Sequence, residues 1–176
     1  MDIHYNDIRI RNAEAGDCAL LAEWWNDGSV MAHAGFPNGL GITADEIAAS
    51  ISTDTDETRR RLIIEYRGLP IGEMSFRIRT DLSAEIGIKI CRPEYRERGL
   101  GRVILSLLIK ELFGRGYRKI VLDTNKTNER AQHVYELLGF KKLRVNENSW
   151  RDQLGNLQSS VDYELTEDRF HDHTLP

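Results

Sequence analysis

The sequence predicts an α/β (α+β) domain in which a mixed sheet carries helices on both faces. Segments that alternate apolar and polar residues, as strands do, are interspersed with segments that repeat apolar residues at the helical period. Near the middle of the chain, a strand-like segment, a long apolar helix and a second short strand follow one another. This is the order of a right-handed crossover between parallel strands, and it indicates a layered fold with one central sheet.

The first predicted elements are a strand at 7–12, where isoleucine alternates with arginine, and a helix at about 17–25. Residues 33–41 contain three glycines and a proline, so they are expected to form a loop. Thr43 and Glu46 have the spacing of a capping box, in which each side chain accepts a hydrogen bond from the backbone of the other. This pair predicts the start of a second short helix.

The next predicted elements are three strands. Residues 61–66 and 70–79 have the pattern of a hairpin whose turn is RGLP. The segment EIGIKI alternates again, with its isoleucines on one face and Glu85, Gly87 and Lys89 on the other.

The second half of the chain is predicted to form a helix, a strand, a helix and two more strands. Apolar residues occupy nearly every position of the helix 100–113, which indicates burial on more than one side. The elements after it are a strand at 119–123, a helix at 128–138 and a strand pair at about 140–150 and 157–165. The last six residues, HDHTLP, are expected to be a frayed tail. Its histidines, His171 and His173, belong to no HExxH motif or cysteine cluster and predict no metal site.

Composition places the chain among ordinary globular proteins. Hydrophobic residues make up 40% and charged residues 30%, and no run of about 18 apolar residues could span a bilayer, which argues against a membrane protein. The 176 residues contain no Pro-, Gly- or Ser-rich linker and fit one domain. The N-terminus lacks a signal peptide pattern and Cys18 and Cys91 form no CxxC motif, so a cytoplasmic protein is expected. A net charge of −4 argues against a general nucleic-acid binder.

The most informative motif is RERGLG at 96–101, directly before the apolar helix. Its two glycines allow a turn in which backbone N–H groups converge, and the positive end of the helix dipole favours an anion at the same place. Arg96, Arg98 and Arg102 add positive charge around this turn. The pattern predicts a loop that binds a diphosphate through the amides of residues 97–102.

A second motif, NERAQHVYELLGF, follows at 128–140. Asn128, Ala131, Tyr135 and Leu138 are spaced by three, four and three residues, so they share one helix face. Together the two motifs resemble the R/Q-x-x-G-x-G/A and N-x-x-A-x-x-x-Y signatures of the GNAT family of N-acetyltransferases. The stretch AEIGIKICRPEYRERG also resembles the subgroup that contains ribosomal-protein alanine N-acetyltransferases and spermidine acetyltransferase.

This resemblance implies a mainly antiparallel central sheet of about six to seven strands, with a core at 7–166 and a tail at 167–176. It implies acetyl-CoA as the cofactor, with its diphosphate at the glycine loop. The pantetheine amides would pair with the free edge of the strand at 85–91, where that strand parts from the strand at 119–123. The residues expected to bind coenzyme A are Lys89, Ile90, Cys91, Arg96, Glu97, Arg98, Gly99, Leu100, Gly101, Arg102 and Asn128.

The resemblance implies catalytic roles for two residues. Tyr135 would protonate the departing thiolate; the alternative is a core tyrosine whose hydroxyl is bonded elsewhere. Glu85 would take a proton from the acceptor ammonium; the alternative is an edge glutamate or an ion pair with Arg77. Glu73 is a second candidate base, and a water chain to either carboxylate is a third route.

The acceptor is expected to bind at the first helices and the loop between them. The candidate residues are Trp24, Trp25, Asn26, Asp27, Phe36 within the 33–41 loop, and Glu73. Aromatic rings beside a carboxylate suit a cationic amine. The two tryptophans can instead belong to the helix core.

The sequence therefore predicts an acetyl-CoA-dependent N-acetyltransferase that acts on a primary amine by direct transfer in a ternary complex. The acceptor would be a protein N-terminus or a small molecule such as a polyamine, and the resemblance also allows a homodimer. The alternative is a non-catalytic acyl-CoA-binding regulatory domain. A nucleotide-binding Rossmann domain fits poorly, because the glycine run lies in mid-chain and no acidic residue follows about twenty positions later. The identity of the acceptor is left open.

Overall fold

A computed structural model describes residues 1–174, which form one eight-stranded sheet with five α-helices. The strands, in chain order, are β1 Asp2–Tyr5, β2 Ile8–Asn12, β3 Arg59–Tyr66, β4 Leu69–Ile78, β5 Ser83–Ile90, β6 Lys119–Asn125, β7 Lys141–Arg151 and β8 Leu157–Thr166. The helices are α1 Cys18–Asn26, α2 Gly28–Met31, α3 Ala44–Ile51, α4 Leu100–Gly114 and α5 Glu129–Leu137. Within residues 1–174, none of the helices combines the length and the apolarity needed to cross a bilayer.

The strand order is β1-β2-β3-β4-β5-β6-β8-β7. Strands β5 and β6 run parallel, and every other neighbouring pair is antiparallel. The predicted mixed, mainly antiparallel sheet with helices on both faces is confirmed. The sheet has one strand more than expected, because the short edge strand β1 has no fully buried residue and so leaves little hydrophobic signal.

The two central strands β5 and β6 diverge soon after they begin. Their ladder contains three pairs and ends at Glu85 opposite Val121. On its other side, β5 stays paired with β4 as far as Ile90 opposite Gly72. The edge of β5 from residue 86 onward therefore has free backbone groups that face the gap between the two strands.

The sheet separates two apolar layers. The larger one covers the back of the sheet with α4 and α5, and Ile104, Leu108 and Leu112 of α4 are fully buried in it. This position explains why α4 is apolar around most of its circumference. The smaller layer covers the front, where α1 and α3 pack on Ile63 and Cys91.

The helix starts follow the local sequence signals. Thr43 caps α3: its hydroxyl accepts the Glu46 N–H at 3.3 Å, and the Glu46 carboxylate accepts the Thr43 N–H at 2.8 Å. The capping box is therefore confirmed. The short helix α2 was not predicted, and its N-terminus is capped by the Asp27 carboxylate, which accepts the Ser29 N–H at 2.7 Å.

The prediction of a frayed tail is wrong for residues 171–174. The Tyr5 hydroxyl of β1 donates a hydrogen bond to the Thr174 carbonyl at 2.6 Å, and Thr174 is buried. This contact joins residues 169 positions apart, so no local sequence pattern could have predicted it. The rest of the predicted tail, residues 175–176, lies outside the described residues.

Candidate active site

A large cavity, with a volume of about 920 Å³, lies where β5 and β6 diverge. One wall is the free edge of β5 and the other is Asp123–Asn125 at the end of β6. The first turn of α4 and the inner face of α5 close it at the back, while residues 29–34 and Trp150 of β7 close it at the front. The cavity therefore connects the two faces of the sheet.

The loop between β5 and α4 shapes the back of the cavity. Glu97 and Gly99 adopt positive φ angles of 60° and 74°, and α4 begins directly afterwards at Leu100. Within residues 1–174, no side chain caps this helix start. The first N–H groups of α4 thus have no side-chain cap and point, with the positive end of the helix dipole, to where the sequence predicts an anion.

Most of the residues predicted to bind coenzyme A line this cavity: Lys89, Ile90, Arg96, Glu97, Gly99, Gly101, Arg102 and Asn128. Three others lie outside its described lining. Leu100 packs on the apolar layer behind the sheet, and the Arg98 guanidinium lies 5.5 Å from the centre of the Tyr95 ring. Cys91 is buried at the front, where burial and the negative charge of Glu73 raise the pKa of its thiol to about 12.

Two arginines hold the loop between β5 and α4 in place. Arg96 donates hydrogen bonds to the carbonyls of Ile90 at 2.9 Å and Cys91 at 3.1 Å, which hold the end of β5. Arg130 of α5 pairs with Glu97 at 2.9 Å across the mouth of the cavity. Glu97 and both arginines line the cavity, so positive charge surrounds the free N–H groups of α4.

Tyr135 lies on the inner face of α5 and is 7% exposed. Its ring packs on Phe140 and Tyr163, with 5.7 Å between ring centres in each pair, and the residue lines the cavity. Within residues 1–174 its hydroxyl has no hydrogen-bond partner, unlike a core tyrosine with a satisfied hydroxyl. Burial, together with the negative charge of Asp123, raises the pKa of Tyr135 to about 12.

Asn128, the other signature residue of this helix, caps α5. Its side-chain oxygen accepts the Ala131 N–H at 3.3 Å. The asparagine therefore fixes the start of the helix that carries Tyr135, and it also lines the cavity.

Glu85 does not line the cavity in the described part of the chain. Its carboxylate accepts hydrogen bonds from Arg77 at 3.0 Å and from Arg79 at 3.2 Å. The geometry thus matches the ion-pair alternative, and both carboxylate oxygens are engaged. A surface pair of this kind contributes little stability, about 1 kcal/mol or less.

Asp123, at the end of β6, is the carboxylate that the cavity contains and that sequence reasoning missed. The surrounding protein partly removes this carboxylate from water and so raises its pKa, although the residue stays exposed to the cavity, and the charges of Glu85 and Asp162 raise the pKa further. Its position at the carboxyl end of a strand in a strand–helix–strand unit was the signal that could have found it. A carboxyl group in such a place takes up a proton more readily than an exposed aspartate.

On the front of the sheet, Glu73 and Trp25, two of the predicted acceptor residues, contact each other. The buried Glu73 carboxylate accepts hydrogen bonds from the Trp25 indole N–H at 2.8 Å and from the Lys89 ammonium at 3.1 Å. The three residues line a second cavity of about 340 Å³ on the front of the sheet, and Gly87, Ile88 and Lys89 form a floor common to both cavities. Trp24, in contrast, is core, as the alternative for that residue stated.

The remaining predicted acceptor residues, Asn26, Asp27 and Phe36, line neither cavity in the described structure. The Asn26 amide exchanges two hydrogen bonds with the backbone of Ile42, at 2.8 Å and 2.9 Å. Asp27 is the cap of α2. Both are explained by the conformation of the loop, because short polar side chains favour such turns and caps.

Two further residues line the large cavity: His33, which belongs to the predicted 33–41 loop, and Trp150, which the sequence did not suggest. They are brought together because the tip of the β7–β8 hairpin is hydrogen-bonded to the 33–41 loop. Gln153 bonds to the backbone of this loop at Gly35, Asn38 and Gly39, at 2.8 to 2.9 Å. A Cβ atom on Gly35 would lie 2.4 Å from the Trp150 ring, so only glycine fits there.

A sequence profile described as the acetyltransferase (GNAT) family matches residues 37–140, which is more than half of the chain. The chain belongs to the acetyltransferase (GNAT) family. Membership confirms the resemblance found in the two motifs and the expected class of enzyme, an acyltransferase.

Named relatives of this GNAT chain differ in the acceptor they act on. The chain is 29% identical over 140 residues to the L-amino acid N-acyltransferase MnaT of Escherichia coli (strain K12), and the match covers 76% of this chain and 79% of that protein. It is 39% identical over 56 residues to the ribosomal protein bS18-alanine N-acetyltransferase of the same organism, which covers 32% of this chain and 38% of that protein.

Among solved structures, the fold is similar to that of spermidine N-acetyltransferase from Vibrio cholerae, crystallised with CoA and spermine. The TM-score is 0.83 at 22% identity, and the match covers 94% of this chain and 98% of that one. At this identity the likeness establishes the fold alone.

Proposed function

We propose that this protein transfers the acetyl group of acetyl-CoA to a primary amine, directly and within a ternary complex. One observation carries the proposal. A single cavity joins the free N–H groups at the start of α4 to the side chains of Asp123 and Tyr135, through the gap between β5 and β6. A phosphate-bearing donor and an amine can therefore meet inside the sheet from its two faces.

The residues at the back of the cavity suit coenzyme A. The amides of residues 97–102 would bind the diphosphate, with Arg102 and Arg130 as further cationic partners. The free edge of β5 would pair with the amides of the pantetheine arm. Bound acetyl-CoA would supply the thioester whose acetyl group is transferred.

Asp123 would act as the base. An amine is nucleophilic only when it is neutral, so the incoming ammonium must lose one proton. Asp123 lies in the cavity with a raised pKa, which brings its proton affinity closer to that of the group it must deprotonate. We propose Asp123 for this role in place of Glu85, whose two oxygens are bonded to Arg77 and Arg79.

Tyr135 would act as the acid. Its pKa of about 12 keeps the hydroxyl protonated at neutral pH, ready to donate to the thiolate as the carbon–sulfur bond breaks. The second proton of the attacking nitrogen, lost as the amide forms, restores the phenol. The proton held by Asp123 returns to solvent, so one proton is released for each amine acetylated.

The experiment is an assay of CoA thiol release from acetyl-CoA over a panel of amines, with product mass measured in parallel. The panel should include amino acids, polyamines and N-terminal peptides, because these are the acceptors named for the relatives. We expect amine-dependent release and intersecting double-reciprocal plots. Tight acetyl-CoA binding without release on any amine would instead indicate the acyl-CoA-binding regulatory domain, and parallel plots with an acetylated enzyme would refute direct transfer.

A further inference from the structure

The second cavity contains polar atoms that the proposed reaction does not use. Its volume of about 340 Å³ is at the small end of the range of roughly 300–1,000 Å³ for small-molecule sites. It lies on the front of the sheet and shares part of its floor with the large cavity. One part of its lining is apolar and comprises Trp25, Met31 and Leu40. Another part is polar and includes Arg61, Glu73 and Ser75.

Glu73 has a carboxylate oxygen that is free to bind a ligand. Its side chain is only 9% exposed. Its Oε1 atom accepts two hydrogen bonds, from the Trp25 indole N–H at 2.8 Å and from the Lys89 ammonium at 3.1 Å. Within residues 1–174, its Oε2 atom accepts none. A carboxylate oxygen in such a sheltered position gains from a donor, and a ligand in the cavity can supply one.

Arg61 and Ser75 also have polar atoms without partners. The Arg61 side chain is 9% exposed, and its Nε and Nη2 atoms donate to the Asp54 carboxylate at 2.8 and 2.7 Å. In the described part of the chain, neither the Arg61 Nη1 group nor the Ser75 hydroxyl has a hydrogen-bond partner. No side-chain N or O atom that lacks a partner is fully buried among residues 1–174. The free atoms of Glu73, Arg61 and Ser75 are therefore open to the cavity that these residues line.

The three free groups differ in their hydrogen-bonding character. The Glu73 oxygen only accepts, the Arg61 N–H group only donates, and the Ser75 hydroxyl does either. A hydroxyl group both donates and accepts, so a ligand with several hydroxyl groups can satisfy all three. A polyamine cannot, because an ammonium group has no acceptor and would lie beside the like charges of Arg61 and Lys89.

The strand register places these groups within reach of the reacting amine. Ser75 lies opposite Gly87, and its hydroxyl is 3.4 Å from the position that a Cβ atom on Gly87 would take. The free edge of β5, where the acetyl group is proposed to lie, begins beside Gly87. Neighbouring strands are about 4.8 Å apart. On a six-membered sugar ring, an amine and a hydroxyl joined through four bonds of about 1.5 Å are roughly 5 Å apart, which matches the step from β5 to β4.

We propose that the second cavity binds the hydroxyl groups of the acceptor, and that the acceptor is an amino sugar. This inference rests on the proposed function. The amine would lie over Gly87 beside the thioester, and the sugar ring would extend over Ser75 toward Glu73 and Arg61. The Trp25 ring, whose orientation is fixed by its hydrogen bond to Glu73, would contact the apolar face of the sugar.

The first test compares ring amines that carry hydroxyl groups with one that lacks them: glucosamine, galactosamine, trans-2-aminocyclohexanol and cyclohexylamine. Leucine, spermidine and an alanine-initiated tripeptide complete the series. Rates are expressed per neutral amine, because hydroxyl groups lower the basicity of a nearby amine. We expect kcat/KM to be at least tenfold higher for the better amino sugar than for every other acceptor, since a site built around hydroxyl groups rejects analogues that lack them. An equal or higher value for cyclohexylamine, leucine, spermidine or the peptide would overturn the inference while the proposed function stands.

The second test uses Glu73→Gln, which keeps the size of the side chain. A glutamine has one accepting oxygen, which Trp25 and Lys89 use, so the atom that faces the cavity becomes a donor. We expect the KM for glucosamine to rise about tenfold, with no change in kcat for cyclohexylamine or in the Kd of acetyl-CoA. If Glu73 were instead a general base, kcat would fall for both amines, and that result would contradict the inference.

The third test uses Ser75→Ala, which removes a second partner of the sugar. We expect the KM for glucosamine to rise about threefold and the KM for cyclohexylamine to stay unchanged. Glu65→Gln is the matched control for Glu73→Gln, because Glu65 is a strand carboxylate that pairs with Arg11 at 2.7 Å and lines neither cavity in the described structure. An equal effect of the two glutamine variants, or an equal effect on both amines, would refute the site.

A binding measurement separates failure of this inference from failure of the proposed function. Glucosamine is titrated into the protein in the presence of CoA, and its Kd is measured by NMR. Binding that both Glu73→Gln and Ser75→Ala weaken supports the hydroxyl site whether or not turnover is seen. If glucosamine and cyclohexylamine are acetylated equally well and neither variant changes the binding of glucosamine, the reaction stands and the site does not.

Discussion

The two sides of the cavity, proposed to hold the cofactor and the acceptor, are built in different ways. On the cofactor side, the loop, the start of α4 and α5 lie within residues 96–137, and their geometry follows from glycines, a helix start and a cap. On the acceptor side, the 33–41 loop is held by Gln153, which is 115 positions from Asn38. The comparison teaches that a short motif can encode an anion site, whereas the acceptor site depends on contacts distant in sequence.

The largest expected effect concerns Asp123, which lies between the two sides. We expect Asp123→Asn to lower kcat about 10³-fold, because general bases contribute roughly 10²–10⁴. The raised pKa of Asp123 predicts that activity falls with decreasing pH at a higher pH than for an ordinary aspartate, and the asparagine variant should lose this acidic limb. Rate measurements from pH 5 to 9 check both expectations.

The matched control is Asp162→Asn, which changes the register partner of Asp123 on β8. The Asp162 carboxylate pairs with Arg144 at 2.6 Å and is one cause of the raised Asp123 pKa. Its removal should leave kcat at neutral pH nearly unchanged and move the acidic limb to lower pH. A similar loss of rate in both variants would argue against a specific base.

The next effect is expected at Tyr135. We expect Tyr135→Phe to lower kcat about 10²-fold, with the Kd of acetyl-CoA changed by less than about twofold, because only the proton donor is lost. Tyr163→Phe is the control, since its ring packs edge-on to Tyr135 at 5.7 Å and its hydroxyl bonds to Glu136 at 3.1 Å. Steady-state kinetics with unchanged rates in Tyr135→Phe would remove Tyr135 from the mechanism.

A smaller effect should be confined to the cofactor side. Gly99→Ala and Gly68→Ala both place a side chain at a positive φ, 74° and 76°, and Gly68 has open space around it. The strain of about 1 kcal/mol should lower the Tm of both variants by about 2–4 °C. Only Gly99→Ala should raise the Kd of acetyl-CoA, about fivefold. Equal acetyl-CoA affinity in the two variants would show that the loop conformation does not matter for binding.

The smallest effect should be confined to the acceptor side. Gln153→Ala removes the two side-chain hydrogen bonds from the hairpin tip to Asn38 and Gly39 and keeps the backbone bond to Gly35. We expect the acceptor KM to rise about threefold, which corresponds to less than 1 kcal/mol. The Kd of acetyl-CoA should not change. Asn156→Ala is the control, because the Asn156 side chain contacts Asp152 within the same hairpin. A change in acetyl-CoA affinity would mean that the two sides are not independent.

Sequence reasoning succeeded where the determining interactions are local. The turn at Gly99 and the start of α4 depend on residues within a few positions of one another, and both were predicted. The helix that begins at Asn128 was predicted too, although the capping role of Asn128 was not. The parallel pairing of β5 and β6 followed from the strand–helix–strand order, whereas their divergence was expected from the family resemblance. The sheet was predicted apart from β1, whose exposed edge position leaves a weak apolar pattern.

Sequence reasoning was weaker where the residues of the site come from distant segments of the chain or where side-chain orientation decides the contact. At Glu85 the partners are near in sequence, with Arg77 and Arg79 eight and six positions away, and the ion pair with Arg77 was one of the stated alternatives. The sequence could not choose between that pair and a base, because the choice depends on where the side chains point. Asp123 was passed over because only the folded sheet shows that it faces Tyr135 across the cavity. Trp150 reaches the site from β7, far along the chain, and no motif marks it.

The most direct test of the central claim is a calorimetric titration of acetyl-CoA into the protein, repeated with dephospho-CoA and in increasing salt. The account predicts about one site per chain, whose affinity weakens as salt screens the arginines around the helix start. It also predicts weaker binding in Gly99→Ala than in Gly68→Ala. Absence of binding heat by the folded protein, or a Kd that is insensitive to Gly99→Ala and to salt, would contradict it.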